Sequence, residues 1–123
     1  INEISIIGHS RGGGIVLLKA NEDVRIKKVI SLAAVSDIGA RSSVIGDLEN
    51  WKKKGVKYVV NGRTKQQMPH FYQFYENFKE NKERLNIQKA VEKIKISQLV
   101  IHGDKDTSIA IDEAYKIHSW NVN

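Results

Sequence analysis

The chain has 123 residues, of which 41% are hydrophobic and 28% charged; this excludes a disordered or fibrous polypeptide and suits one domain of ordinary size. It has no cysteine, which excludes disulfides, Cys-based zinc sites and a thiol nucleophile and slightly favours a cytoplasmic setting. The net charge of +6 would suit a nucleic-acid partner, but Lys79, Lys82, Lys89 and Lys93 interleave with Glu80, Glu83 and Glu92, the pattern of a solvated helix face, so no nucleic-acid binding is expected. No apolar stretch approaches the roughly 18 residues of a membrane span. The chain opens on Ile1-Asn2-Glu3-Ile4 without Met, and residue 1 reads as an internal cut.

In chain order, Ile4-Ser5-Ile6-Ile7 predicts a first strand, and Gly12 to Ala20, with Ile15, Val16, Leu17 and Leu18, a mostly apolar helix. Val29 to Ala33 predicts a second strand and Leu99-Val100-Ile101 a third. These runs do not alternate, as expected of parallel strands buried on both faces. Strand, helix and strand within about 30 residues make one βαβ unit. Between the second and third strands, Ser43 to Trp51 predicts a helix with Val44, Leu48 and Trp51 on one face and Gly55 as its stop. Asn61-Gly62, between Lys57–Val60 and Arg63–Gln66, predicts a hairpin with a type I′ turn. Pro69 then suits the first turn of a helix with an inward aromatic stripe of Phe71, Phe74, Tyr75 and Phe78. Asn86 caps a helix with Ile87, Ala90, Val91 and Ile94 inward, and Ile111 to Trp120 is a last helix with Ile111, Ala114 and Ile117 inward. The expected fold is α/β: a single partial domain over 1–123 whose residues from about 37 to 96 form a mostly helical, cap-like insert with one hairpin.

The strongest chemical signal is Gly8-His9-Ser10-Arg11-Gly12. It fits G-x-S-x-G, follows a predicted strand and precedes a predicted helix, which is the setting of a nucleophile elbow. A sharp turn there would lift the Ser10 hydroxyl above the sheet. Side chains at Gly8 or Gly12 are expected to collide with the neighbouring strand or helix, and Gly13 and Gly14 give further room. The backbone N–H of Arg11 would face a developing oxyanion at the helix N-terminus. The second signal is His102-Gly103-Asp104-Lys105-Asp106, acidic residues just beyond a strand's carboxyl end, where functional groups sit in open α/β sheets. Asp106 suits the acid of a catalytic triad, with Asp104 as its rival.

Together, Gly-His-Ser-x-Gly-Gly and Ile-His-Gly-Asp-x-Asp resemble the α/β-hydrolase superfamily, most closely its dienelactone-hydrolase and prolyl-oligopeptidase-like branch. The resemblance implies Ser10 as nucleophile and Asp106 rather than Asp104 as acid, consistent with the superfamily's chain order of Ser, then Asp or Glu, then His. Where the family carries an apolar-Pro pair after the acid, this chain has Ile109-Ala110. The family's second oxyanion-hole amide precedes the elbow strand, and its triad His follows the acid by a few tens of residues. Both are expected outside this chain, making it a C-terminal fragment, inactive alone.

Of the four histidines, His9, His70, His102 and His118, each reads as structural rather than as the missing base. No His, Asp and Glu cluster has metal-ligand spacing, so no metal or cofactor is expected. The expected partner is a small ester or acyl substrate. Strands without their neighbours would expose apolar edges, and self-association of the piece is expected. A noncatalytic α/β-hydrolase-like binding module is the alternative to an acyl hydrolase.

Overall fold

A computed structural model describes residues 1–40 and 47–122. In chain order its elements are β1 (Ile4–His9), α1 (Arg11–Glu22), β2 (Ile26–Leu32), α2 (Leu48–Lys54), β3 (Val56–Val60), β4 (Gln67–Phe71), α3 (Gln73–Glu80), α4 (Ile87–Lys93), β5 (Ser97–Ile101) and α5 (Asp112–Trp120). They fall into two compact units, one of Ile1–Ile38 with Arg84–Asn123 and the other of Gly39–Glu83.

In the first unit, β1, β2 and β5 form a parallel sheet in the order β1-β2-β5. Two rows fix its register: Ile7, Ile30 and Leu99 lie side by side, as do His9, Leu32 and Ile101. Gly13, Gly14, Leu17 and Leu18 form the buried stripe of α1, spaced so that one helical face meets the sheet. Leu17, Val29, Ile87, Val91, Ile94 and Ile117 are each 2% exposed or less, so α1, α4 and α5 share one core with β2. Asn86 caps α4, its side chain accepting from the Lys89 amide at 2.9 Å. The last helix buries Ala114 and Ile117, with Ile111 half-buried.

The strands are not buried on both faces as expected. Burial alternates along β1 and β5, and Ile7, Leu99 and Ile101 are 63%, 52% and 42% exposed. Parallel strands read as continuous apolar runs because such sheets are usually covered twice. Among the described residues, helices cover one face only.

In the second unit, Asp47 caps α2 by accepting from the Asn50 amide, and Gly55, at φ 75°, ends it by donating to the Trp51 carbonyl. Trp51 is 3% exposed, and its indole N–H donates to the His70 carbonyl at 2.8 Å. The rings of Tyr72 and Tyr75 lie 5.4 and 6.1 Å from it, while the Lys57 ammonium sits 3.5 Å over its face, a cation–π arrangement. Burial pulls the Lys57 pKa below the usual lysine value.

Strands β3 and β4 form the expected antiparallel hairpin, but with another turn and later boundaries. Val60 pairs with Gln67, leaving Asn61 to Gln66 as the loop. Asn61 Oδ1 accepts from the amides of Arg63 and Thr64 at 2.9 and 3.1 Å, and the positive φ falls on Lys65 rather than Gly62. The side chain of Asn61 builds the turn itself, so no type I′ geometry forms. Pro69 lies in β4 opposite Tyr58, not in a helix; in a two-stranded ribbon it can face the unpaired side. Phe71 ends β4 and is 58% exposed, so the aromatic stripe of α3 is reduced to Phe74, Tyr75 and Phe78, none of them fully buried. The upstream part of the predicted 43–51 helix, Val44 included, lies outside the described residues.

Candidate active site

Strand β1 turns into α1 at a single residue, Ser10, whose φ of 57° and ψ of −120° are strained for a residue with a Cβ. The surroundings over-determine this conformation. The Ser10 amide donates to the Leu32 carbonyl at 2.9 Å, and its carbonyl accepts from the amides of Gly13, Gly14 and Val35 at 3.0, 3.4 and 3.2 Å. The end of β2 therefore holds the turn from one side and the first turn of α1 from the other.

This approach needs missing side chains at two places. A Cβ on Gly8 would lie 2.2 Å from the Gly12 carbonyl oxygen, and one on Gly13 would lie 2.5 Å from Ala34 Cβ. Gly12 departs from expectation: a Cβ there would meet nothing within 4 Å. Its side of the helix points away from the strand, and the close contact belongs to its carbonyl instead.

Arg11 is the first residue of α1, so its backbone amide stands at the positive end of the helix dipole. The Ser10 side chain makes no capping hydrogen bond to α1.

Asp106 lies beyond β5, at the same carboxyl edge of the sheet as Ser10. His9 and Ile101 share a row with Leu32 between them, which separates the two chain ends by two strand spacings of about 4.8 Å each. The Asp106 carboxylate is fixed by its own loop. Oδ1 accepts from the amides of Ser108 and Ile109 at 2.8 and 2.9 Å, and the Asp106 amide donates to the Gly103 carbonyl at 3.3 Å. The Ile109 and Ser108 amides, with a smaller electrostatic contribution from the nearby His102 and His9, hold its carboxyl below the usual carboxylate value. Oδ2 stands 3.7 Å from His102 Nε2, too far for a hydrogen bond. Asp104, the rival acid, is exposed on the same loop.

Among the described residues no imidazole hydrogen-bonds the Ser10 hydroxyl. His9 is exposed on the uncovered face of the sheet, His70 belongs to β4, and His118 is exposed in the last turn of α5. The His102 side chain is 2% exposed, and its Nε2 hydrogen-bonds the Ile109 carbonyl at 2.7 Å. No group of three His, Asp or Glu among the described residues is placed to hold a metal ion, and no helix among them is long and apolar enough to cross a membrane. A cavity of about 410 Å³, lined by Asp47, Trp51, Lys54, Lys57 and their neighbours, belongs to the second unit.

Two supports around the site were not read from the sequence. The loop after β2 presses on Ser10 through Val35, begins with Ala33 at φ 45°, and is held by Glu113, whose Oε2 accepts from the Ser36 amide at 2.7 Å. Ala33-Ala34 was the available signal: small residues at a strand end where Gly13 crosses.

No family model and no curated protein matches the chain. Solved structures do. The esterase domain of a Rhodothermus marinus protein superposes with a TM-score of 0.63 at 21% identity, over 94% of this chain and 45% of that one. Est1E from Butyrivibrio proteoclasticus gives 0.66 at 18%, over 100% and 49%. An acylaminoacyl peptidase from Pyrococcus horikoshii gives 0.59 at 22%, over 98% and 17%. The chain thus spans less than half the length of each of these three.

Proposed function

The chain has the fold of part of an α/β-hydrolase, and from that premise we propose that it carries the nucleophile and acid of a serine hydrolase cleaving an ester or related acyl bond. The observation that carries the reading is Ser10 held at φ 57° between a parallel strand and a helix N-terminus, the geometry of a nucleophile elbow. Three of the similar structures are an esterase domain, an acylaminoacyl peptidase and an acetyl xylan esterase, which supports acyl chemistry.

In this reading Ser10 Oγ attacks the substrate carbonyl carbon as its proton passes to an imidazole base. The carbonyl oxygen becomes an oxyanion facing the Arg11 amide, and collapse expels the alcohol or amine, leaving an acyl-Ser10 ester that water then hydrolyses. Asp106 orients the base through Oδ2, since Oδ1 is occupied by two loop amides. None of the four histidines hydrogen-bonds Ser10 among the described residues, so this reading requires an imidazole from outside these 123 residues. That same observation favours a second reading, a noncatalytic module that keeps the scaffold for binding.

Fluorophosphonate labelling of the full-length protein, with the modified residue located by mass spectrometry, separates the two. Labelling at Ser10, lost in S10A, supports the hydrolase. A folded protein that takes no label leaves the binding module.

A further inference from the structure

From sequence His102 reads as structural, and its surroundings give it a more specific task. The Ile109 carbonyl can only accept, so the hydrogen it shares with His102 resides on Nε2. His102 Nδ1 is buried and has no hydrogen-bond partner among the described residues. A side chain 2% exposed therefore spends its polar capacity on one contact, which joins the first residue after β5 to a residue seven positions on. Asp106 lies within that span, and its carboxylate binds the amide of the same Ile109 whose carbonyl His102 holds. Ile109 is 4% exposed, so the far end of the loop is also anchored in the core.

We propose that His102 is a positioning residue that closes the 102–109 loop and sets the direction of Asp106 Oδ2, leaving that oxygen open for the triad imidazole. Its kinetic consequence rests on the serine-hydrolase reading; its structural consequence does not. At 3.7 Å His102 Nε2 does not bond Oδ2; a direct hydrogen bond there would compete with the incoming base. His102 is thereby distinguished from a base: it acts on Ser10 only through Asp106.

The test uses the full-length protein and two readouts, the second-order rate of fluorophosphonate labelling at Ser10 and amide hydrogen exchange at Ser108 and Ile109. H102L removes the donor, and labelling falls about tenfold or more, as a displaced catalytic group requires, while both amides exchange faster. H102Q keeps a donor at similar reach and labels within about threefold of wild type. Adding H102L to D106A costs nothing further, because the two act as one unit. If H102L does not fold, H102Q against the shorter H102N carries the same comparison. Wild-type labelling rates in H102L, multiplicative losses in the double variant, or an H102Q as slow as H102L would overturn the proposal. A wild type that takes no label at Ser10 defeats the hydrolase reading alone, and exchange at Ser108 and Ile109 in H102L still decides whether His102 holds the loop.

Discussion

The Ser10 turn and the Asp106 loop stand at the same edge of the sheet but are held in different ways. Four backbone hydrogen bonds from β2, the loop after it and α1 fix Ser10, and glycines make them possible by lacking atoms. Asp106 is fixed by side chains, its own and that of His102, bonding to backbone. The first region should break when atoms are added, the second when atoms are removed or exchanged.

The largest expected effect is on the second region. D106N keeps an oxygen for the Ser108 and Ile109 amides but puts an NH2 in place of Oδ2, where the proposed triad imidazole would bond. Activity in the full-length protein should fall about 10³- to 10⁴-fold with little change in melting temperature; loss of fold in place of activity would show that the acid is structural. Because the folded carboxyl titrates below its ordinary value, it adds stability above the unfolded value of about 3.9, and that stability is lost as pH falls toward the folded one. Wild type should therefore lose more stability than D106N between about pH 5 and 3, as read by denaturant melts.

On the Ser10 side, G8A would place a methyl 2.2 Å from the Gly12 carbonyl oxygen and should cost about 3 kcal/mol or more in the same melts. An N86A variant, away from both regions, should lose the helix cap and about 1 kcal/mol. The smallest effect belongs to G12A, since its Cβ would meet nothing within 4 Å. It should be neutral or stabilise α1 by up to about 1 kcal/mol. A large loss in G12A would mean that Gly12 is kept clear for something that binds at the turn.

The Ser10 turn was legible because strand, glycines and helix stand next to one another in sequence. The acidic loop was legible as a place, but Asp106 was separated from Asp104 only by resemblance; in the structure Asp106 is the carboxylate bound to loop amides. The loop holding Ser10 from β2, and Glu113 behind it, were not legible, because Ser36 and Glu113 are 77 positions apart and meet only through the fold.

By itself the sequence determined the three parallel strands, the helix after Ser10, the hairpin's existence and the caps at Asn86 and Gly55, all local or periodic signals. Tertiary structure decided the rest. Asn61 took the turn that Gly62 was expected to make, Phe71 went into a strand, and Gly12 proved free while Gly8 did not. The sheet is covered on one face among the described residues although its strands read as buried on two. Apart from the turn, which the Asn61 side chain builds locally, each of these depends on which surface a neighbouring element occupies, and that information is not carried by adjacent residues.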